Sequence, residues 1–420
     1  MTLSQYDVAD LGLAPAGVRR VEWAERAMPA LSSINERFAR SRPLDGLRIS
    51  ACMHVTAETA NLLRVLRSGG AEVMLAASNP LSTQDDTAAA LVAEYGMRVY
   101  ARSGIDAATY DRNLATVLSQ RPHLLLDDGC DLVNTAYHTG AELLEHTMGG
   151  CEQTTTGVIR LRQMSAEGVL QLPMVAVNDT ATKRMFDNRY GTGQSTIDGI
   201  MRATNALLSG RTLVVAGFGY CGRGLAERAR GMGARVVVTE VDPVKALDAV
   251  MQGYTVLPMA EAARVGDVFV TVTGNRDVIR AEHLADLKDG AVLANAGHFD
   301  VEIDLAALDD LAVEIRPDVR PQADEYVLAD GRRIVLVSEG RLVNLGAAEG
   351  HPAAVMDMSF AVQALTVEWL AQQHEQLSPG VLDVPTEIDT EVASLELAAL
   401  QVHIDELTAE QRDYLSSWDA

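Results

Sequence analysis

The stretch Arg211-Thr-Leu-Val-Val-Ala-Gly217-Phe-Gly219-Tyr-Cys-Gly222-Arg-Gly224 begins as an apolar strand and runs directly into a glycine-rich turn. In the pattern Gly217-x-Gly219-x-x-Gly222, the first glycine permits a tight turn and the second lets the backbone approach a pyrophosphate. The third lets the following helix pack closely against the strand. The N-terminus of that helix offers unpaired N–H groups and a partial positive charge to an anion. The stretch therefore predicts a dinucleotide-binding strand–helix–strand unit.

An acidic residue ends the second strand of this unit. The apolar residues 235–239 are followed by Glu240, which lies 18 positions beyond Gly222. A carboxylate at that place accepts hydrogen bonds from a ribose hydroxyl and repels the 2′-phosphate of NADP. Glycine turns alone are common, but the turn, both strands and the acid together predict NAD as the cofactor.

The composition narrows the class of protein further. The chain has 420 residues, of which 210 precede the glycine-rich stretch, so we expect two or three domains of about 150 residues each. A net charge of −23 argues against nucleic acid or an anionic membrane as a partner, because both need basic surfaces. No apolar run is long enough for a membrane span. The cysteines are scattered, which is typical of reduced thiols in a cytoplasmic protein. They are Cys52, Cys130, Cys151 and Cys221.

The residues before the glycine motif also alternate between strand and helix patterns. Residues 47–52 and 71–76 read as strands around a helix at 56–67, and residues 124–126 read as a later strand of the same sheet. The fold class predicted is therefore α/β, with two Rossmann-like doubly wound domains and a short C-terminal helical tail. Residues 190–209 are expected to form a long helix that joins the two domains.

Near the end of the chain, two further helices are expected. Residues 353–373 read as a helix that crosses back to the first domain. Thr408-Ala-Glu-Gln411 is a plausible capping box for a last helix that ends near Trp418.

Ionisable residues follow several predicted strands, where open α/β sheets bind ligands. His54 comes after the first strand, and Glu58 lies within the first turn of the next helix. Glu58 could serve only as a favourable charge at a helix N-terminus. A zinc site at these two residues lacks a third ligand with matching spacing, so we expect no metal.

Two other pairs of charged residues have both a structural and a catalytic interpretation. Asp127-Asp128 follows an apolar strand and could simply form a turn. Lys183 and Asp187 stand four residues apart on one face of a predicted helix. Such a pair is an ordinary ion pair on a surface, whereas in a cleft it suits a general base.

Two histidines lie on glycine turns, His298 after Gly297 and His351 after Gly350. Together with the charged pairs they favour chemistry in a cleft between the domains. The residues alone leave three classes open. These are a conventional dehydrogenase, an enzyme that oxidises its substrate transiently and returns the hydride, and an NAD-sensing regulator. The regulator would not need clustered lysine, aspartate and histidine.

Several uncommon strings occur in the order that one enzyme family shows. They are residues 78–85 (SNPLSTQD), 126–129 (LDDG), 154–157 (TTTG), 178–188 (Asn-Asp through Phe-Asp-Asn), 297–302 (GHFDVE), 339–344 (EGRLVN) and 350–352 (GHP). From about residue 47 to its end, the chain resembles the adenosylhomocysteinases in their short form. The family splits S-adenosylhomocysteine reversibly into adenosine and homocysteine. It oxidises the ribose 3′-OH with tightly held NAD, removes the C4′ proton, expels homocysteine from C5′, adds water and returns the hydride.

The resemblance implies roles for the polar residues that handle protons. Lys183 would deprotonate the 3′-OH, positioned by Asp187 and Asn188. Asp128 and His54 would handle protons at C4′ and C5′. The ribose hydroxyls would also lie near one histidine of the second domain, His298.

The resemblance implies binding roles as well. The adenine would be recognised by Thr56, Glu58 and His351. The nicotinamide end of NAD would be held by Thr154, Thr155 and Thr156, and its carboxamide region by Asn344. Phe299 would belong to a gate that seals the cleft when the domains close, which keeps water from the intermediate.

One position departs from the family pattern. The family has two glutamates before its triple threonine, and the second touches the ribose hydroxyls, but here the pair is Glu152-Gln153. Gln153 can still hydrogen-bond but cannot take a proton. The alternative function is therefore a relative recruited to nucleoside tailoring, a 4′,5′-dehydratase of an adenine nucleoside that uses the same chemistry.

The resemblance also implies a domain plan and an assembly. Residues 1–189 and 352–380 would form the substrate-binding and catalytic domain, residues 190–351 the NAD-binding domain, and residues 381–420 an oligomerisation tail. The tail lacks the extension that long-form members send into a neighbour's NAD site. We expect a homo-oligomer, a tetramer, that acts on a small-molecule nucleoside substrate in the cytoplasm.

Overall fold

The computed structural model describes residues 5–418. Its strands in chain order are β1 Arg48–Met53, β2 Glu72–Ala77, β3 Arg98–Tyr100, β4 Leu124–Asp127, β5 Gly149–Glu152, β6 Pro173–Ala176, β7 Thr212–Ala216, β8 Arg235–Thr239, β9 Thr255–Val256, β10 Val268–Thr271, β11 Ala291–Asn295, β12 Ala312–Arg320, β13 Ala323–Leu328, β14 Arg333–Val337 and β15 Gly380–Leu382.

The α-helices are α1 Ala14–Glu25, α2 Pro29–Ser41, α3 Ala57–Ser68, α4 Asp85–Ala93, α5 Ala107–Leu118, α6 Asp131–Thr139, α7 Thr155–Ala166, α8 Thr192–Thr204, α9 Tyr220–Gly231, α10 Pro243–Met251, α11 Met259–Val265, α12 Ala281–Ala285, α13 Leu305–Leu311, α14 Val343–Gly346, α15 Ala353–Gln373, α16 Thr386–Ala399 and α17 Ala409–Ser416. Short 3₁₀ turns lie between some of these elements, and a π-helix spans Lys183–Gly191 directly before α8. Among residues 5–418, we find no helix both long and apolar enough to span a membrane.

The strands form two separate sheets. Sheet 1 has the order β15-β6-β5-β4-β1-β2-β3 and its strand pairs are parallel. Sheet 2 has the order β12-β13-β14-β11-β10-β7-β8-β9, parallel except at the edge formed by β12, β13 and β14. We call the parts of the molecule built on them the sheet-1 half and the sheet-2 half. The predicted fold class, two Rossmann-like doubly wound units, is confirmed.

Helices cover both faces of the parallel part of each sheet, which explains why its central strands are mostly apolar, whereas the edge strand β12 is exposed along almost its whole length. In β1, Ile49 and Ala51 enter one core cluster, whereas Cys52 faces the cluster on the opposite side. In β7, Leu213 and Val214 likewise belong to different clusters. Successive side chains of a strand point to opposite faces, so both faces are buried. Because the faces are buried, polar side chains can lie at the carboxyl ends of the parallel strands.

The connection between the halves differs from the single helix expected over residues 190–209. The helical backbone starts earlier, as the π-helix Lys183–Gly191, and continues as α8. It stops at Thr204 because Asn205 adopts a left-handed conformation with φ 53°. The return helix α15 spans Ala353–Gln373, the predicted range, and packs into the core of the sheet-1 half.

The C-terminal region also differs from the expected boundary at residue 381. Strand β15 pairs with β6 in sheet 1, and α16 buries Ile388 and Val392 in the same core. Residues through Ala399 therefore belong to the sheet-1 half rather than to a tail. Residues 401–418 are exposed, and α17 starts with the capping box predicted at Thr408 and Gln411.

Candidate active site

A large cleft lies between the two halves, with a cavity volume of about 1250 Å³. It is lined by residues that follow β1, β4, β5 and β6 of sheet 1 and β7, β8, β10 and β11 of sheet 2. This position, at the carboxyl ends of parallel strands, is where open α/β sheets bind ligands. The predicted site residues that line it are His54, Thr56, Glu58, Asp128, Gln153, Thr154, Thr155, Thr156, Lys183, Asp187, Asn188, Gly217, Gly219, Glu240, His298, Asn344 and His351. Two predicted residues, Gly222 and Phe299, lie behind this lining.

One cluster in the cleft joins the two halves around Asp128. His54 Nε2 lies 3.5 Å from Asp128 Oδ2, and His298 Nδ1 lies 3.9 Å from Asp128 Oδ1. The Oγ atom of Ser78 is 3.0 Å from His54 Nδ1 and fixes the orientation of that ring. The ligand atoms of the three residues lie within 4.8 Å of one another, so the cluster has the spacing of a metal site as well as that of a proton relay. The sequence predicted no metal, on the ground that a third ligand was missing.

Burial controls the protonation of this cluster. Burial lowers the pKa of His54 to about 3, helped by the nearby His351, and lowers that of His298 to about 4. Burial also raises the pKa of Asp128. A charged imidazole is disfavoured where water is excluded, so both histidines are neutral at pH 7. A neutral imidazole offers one nitrogen as a donor and the other as an acceptor, which lets the cluster pass a proton from one group to the next.

The π-helix Lys183–Gly191 builds a second polar network. Lys183 Nζ donates to Asn188 Oδ1 at 2.7 Å and lies 3.4 Å from Asp187 Oδ1. The expected α-helical spacing would pair residues four apart, but a π-helix brings residues five apart together. The shorter contact is accordingly to Asn188. Asn178, which we did not predict as a site residue, accepts from Asn188 Nδ2 at 3.1 Å and lies 3.4 Å from Lys183 Nζ.

Asp187 is the anionic end of that network. It accepts a hydrogen bond from Ser359 Oγ at 2.8 Å and lies 3.1 Å from His351 Nδ1. Burial raises its pKa, but Lys183 and His351 lower it more, and the net pKa is below the usual range. Asp187 thus stays ionised opposite Lys183. Ser359 comes from α15, far along the chain, and no local pattern around Lys183 indicates it.

The residues predicted to meet an adenine line the same cleft. Thr56 is the N-cap of α3, with its hydroxyl facing Thr59 N, and Glu58 sits in the first turn of that helix. Burial raises the pKa of Glu58. His351 also contacts the lysine network, because its Nδ1 lies 3.1 Å from Asp187 Oδ1, while its Nε2 is 3.3 Å from Thr192 Oγ1.

The adjacent residues Glu152 and Gln153 have different surroundings. Glu152 is fully buried, and its carboxylate accepts three backbone N–H groups, from Gly129 at 3.0 Å, Cys130 at 2.9 Å and Thr154 at 2.9 Å. It therefore ties the turn that carries Asp128 to the triple threonine. Gln153 is buried too but faces the cleft, and neither of its amide atoms has a hydrogen-bond partner within the described chain.

The glycine-rich turn has the shape that a dinucleotide requires. Gly217 has φ 104°, a conformation that other residues rarely adopt. A Cβ on Gly219 would meet nothing within 4 Å, so the backbone is open to an approaching group. A Cβ on Gly222 would come 1.9 Å from the carbonyl oxygen of Gly217, which requires glycine for close packing. All three glycines therefore match the roles predicted from their spacing.

Other groups complete the cofactor side of the cleft. The carboxylate of Glu240 accepts from Phe218 N at 2.7 Å, Val241 N at 2.7 Å and Asp242 N at 3.0 Å, so it is fixed in place at the end of β8. Asn344 is buried, and its Oδ1 has no partner within residues 5–418. A carboxylate held beside the glycine turn, and an amide oxygen in the same cleft without a partner among the described residues, fit a dinucleotide with its ribose and carboxamide groups.

Fold and site together indicate an NAD-binding enzyme with a buried cluster of ionisable residues in the cleft between its two halves. The sequence profile described as S-adenosyl-L-homocysteine hydrolase matches residues 5–148, and that of the family's NAD-binding domain matches residues 188–350. This chain belongs to the S-adenosyl-L-homocysteine hydrolase family.

Relatives agree over the full length. The chain is 60% identical to an adenosylhomocysteinase of Aquifex aeolicus over 415 residues, which is 99% of each chain. It is 56% identical to the adenosylhomocysteinase of Gloeobacter violaceus over 99% of this chain and 97% of that one. The solved structure of a dipicolinate synthase chain from Bacillus halodurans aligns with 78% of this chain and 99% of its own, at 15% identity and a TM-score of 0.48.

Proposed function

We propose that this protein catalyses the reversible hydrolysis of S-adenosyl-L-homocysteine to adenosine and homocysteine. Family membership gives the reaction class, and one observation carries the proposal to this chain. The lysine network and the His54–Asp128–His298 cluster lie in one cleft with the NAD-binding turn. A substrate there would have its ribose next to a base, a proton relay and a redox cofactor at once.

NAD, which the glycine turn and Glu240 would hold, would supply the hydride acceptor for C3′ of the ribose and the hydride that restores C3′ at the end of the cycle. Lys183, held by Asn188 and Asp187, accepts the proton of the 3′-OH as that carbon is oxidised. The ketone acidifies C4′, whose proton passes to the pair Asp128 and His54. Loss of homocysteine from C5′ and addition of water follow at the same pair, because neutral imidazoles can take up and return protons.

The binding roles are proposed on position in the cleft. Thr56, Glu58 and His351 would meet the adenine and its sugar. The triple threonine 154–156, at the start of α7, and the unpartnered amide oxygen of Asn344 would hold the nicotinamide end. Phe299 would help to close the cleft.

The same proposal covers assembly and location. Large apolar side chains are exposed on α10 and on the tail, among them Val244, Leu247, Met251, Ile404 and Leu415. Grouped exposed apolar residues mark protein contacts, which supports a homo-oligomer, a tetramer on the family pattern. We propose a cytoplasmic enzyme with a substrate domain formed by residues 1–189 and about 352–399. Residues 190–351 would form the NAD-binding domain, and the remaining C-terminal residues would form an oligomerisation segment.

The alternative, a 4′,5′-dehydratase of an adenine nucleoside, is favoured by no comparison. The one feature that keeps it testable is the uncharged Gln153 in the cleft. The two functions differ in their products, because only the hydrolase releases a thiol from S-adenosylhomocysteine.

Product analysis tests the proposal directly. We expect purified protein, incubated with S-adenosylhomocysteine, to release adenosine and homocysteine in equal amounts by mass spectrometry. We also expect NAD in the supernatant of denatured protein to which none was added, because a cofactor regenerated in each cycle need not leave. Release of no thiol, or recovery of NADP instead of NAD, would contradict the proposal.

A further inference from the structure

A contact outside the cleft lining bridges the two halves. Arg160 lies on α7 of the sheet-1 half, and Phe299 follows β11 of the sheet-2 half. The guanidinium carbon of Arg160 is 4.1 Å from the centroid of the Phe299 ring. At that distance the cation lies on the aromatic face, which is an attraction between a helix of one half and a loop of the other.

Arg160 is fixed from its own side. Its Nη1 donates to Asp131 Oδ1 at 2.8 Å and to the carbonyl oxygen of Gly129 at 3.1 Å. The other carboxylate oxygen of Asp131 accepts from the hydroxyl of Tyr110 at 2.8 Å. A planar guanidinium anchored in this way presents one face in a constant orientation, which lysine cannot do. The arginine is therefore a rigid surface for the phenylalanine ring.

Phe299 passes this restraint on to His298. The two rings meet edge to face, with centroids 4.6 Å apart and planes at 88°. On the opposite side, His298 sits against Gly129, where a Cβ would lie 2.3 Å from His298 Nε2. His298 and Phe299 are thus contacted by Gly129 and Arg160 of the other half.

We propose that Arg160 is a positioning residue of this enzyme: it holds Phe299, and through it His298, against the turn that carries Asp128. In doing so it keeps the cleft closed while the substrate is inside. This inference rests on the proposed function, in which that cleft holds an adenine nucleoside.

The chain offers matched variants for a test. Arg160→Met removes the charge and the planar face, and Arg160→Lys keeps an ion pair with Asp131 but loses the face. Gln163→Met, on the same helix, removes an exposed hydrogen bond to Glu167 that does not touch His298 or Phe299, and serves as the control. Arg160 is 41% exposed, so its replacement should leave the core intact. NAD content and thermal melting report this.

The probe is 3′-deoxyadenosine, which lacks the hydroxyl to be oxidised, so its binding reports closure without chemistry. We expect Arg160→Met to release it about threefold to thirtyfold faster, with the association rate and NAD content unchanged. For S-adenosylhomocysteine, kcat should fall by a similar factor. Arg160→Lys should lie between, and Gln163→Met should match the wild type. The double variant Arg160→Met with Phe299→Leu should release the probe no faster than the poorer single variant, because both substitutions remove the same contact between Arg160 and Phe299.

Release rates and kcat of Arg160→Met equal to those of the wild type would overturn the inference, and so would additive effects of the Arg160 and Phe299 substitutions. Failure of the proposed function looks different. In that case the wild-type protein itself would not cleave S-adenosylhomocysteine, whatever the variants do with the probe.

Discussion

The two sides of the cleft are built in different ways. On the cofactor side, the main binding elements come from one continuous stretch, residues 211–242, and largely from its backbone: a glycine turn, a helix N-terminus and one carboxylate held by three N–H groups. The substrate side is made by side chains that follow separate strands and helices, such as His54, Asp128, Lys183 and His298. A site made by local backbone needs only a local pattern. A site made by side chains depends on the whole fold to bring them together.

The largest expected effect is on the substrate side of the cleft, which is built from side chains. Lys183→Ala should lower the rate of S-adenosylhomocysteine cleavage by about 10²–10⁴-fold, the usual contribution of a general base, and leave NAD bound. The measurement is steady-state turnover together with cofactor content, and absorbance of the reduced nicotinamide on mixing with substrate. Lys288→Ala, which removes a partly exposed ion pair with Asp267, is the control. Cofactor reduction by Lys183→Ala at the wild-type rate would show that another residue is the base.

The cofactor side of the cleft, which is built largely from backbone, should be less sensitive to the loss of one side chain. Glu240→Ala should weaken NAD binding by roughly 1.5–3 kcal/mol, because the ribose loses a charged hydrogen-bond partner. Glu240→Gln keeps one acceptor oxygen and should lie between. Cofactor retained after gel filtration, and the dissociation constant from calorimetry, measure the loss. If Glu240→Ala retains NAD as the wild type does, the carboxylate serves only to brace the turn through Phe218 N and its neighbours.

The same contrast explains how far the sequence could be interpreted. Strand β8 spans Arg235–Thr239 as predicted, and the roles of the three glycines follow from their spacing. The π-helix was missed because Lys183 and Asp187 are four residues apart, as on one face of an α-helix. Only the packing of the folded chain brings Lys183 next to Asn188, five residues away. Ser359 reaches the lysine network from α15, far along the chain, so nothing beside Lys183 could indicate it. Asn178 lies only five positions before Lys183, but its contact with the lysine depends on how the turn after β6 packs against the π-helix.

On the substrate side, strand ends and spacing indicated the charged residues and histidines, but only the family resemblance gave them roles, and two details there needed the structure. Glu152 and Gln153 are adjacent and chemically similar, yet one is a backbone brace and the other faces the cleft. Alternation along a strand predicts opposite directions, but not which side holds the ligand. Arg160 carries no signal in the sequence, because its partner Phe299 is 139 positions away.

Gln153 gives a smaller effect that separates the two candidate reactions. If the protein is a hydrolase, a carboxylate beside the ribose hydroxyls should help, and Gln153→Glu should raise cleavage of S-adenosylhomocysteine by about tenfold, or roughly 1.4 kcal/mol. If it is a dehydratase of an adenine nucleoside, the same change should harm that reaction and leave cleavage near zero. Turnover of both proteins on both substrates decides between them. Strong wild-type cleavage that the substitution does not alter would remove Gln153 from the argument.

The last prediction concerns protons rather than rates. It tests whether the substrate side of the cleft excludes water as strongly as the burial of His54 indicates. Burial lowers the pKa of His54 from 6.5 to about 3, so at pH 5 the folded protein carries this imidazole neutral. The unfolded chain, with an ordinary histidine pKa near 6.5, carries it protonated. Folded His54 therefore costs stability as pH falls below about 6.5, with a slope of up to about 1.4 kcal/mol per pH unit until the folded pKa is reached. Unfolding at pH 5 in weakly buffered denaturant should take up about one proton more for the wild type than for His54→Gln, measured with a pH-stat. Equal proton uptake by the two proteins would mean that His54 is already charged in the folded state, and that the cluster around Asp128 works as an ion pair rather than as a neutral relay.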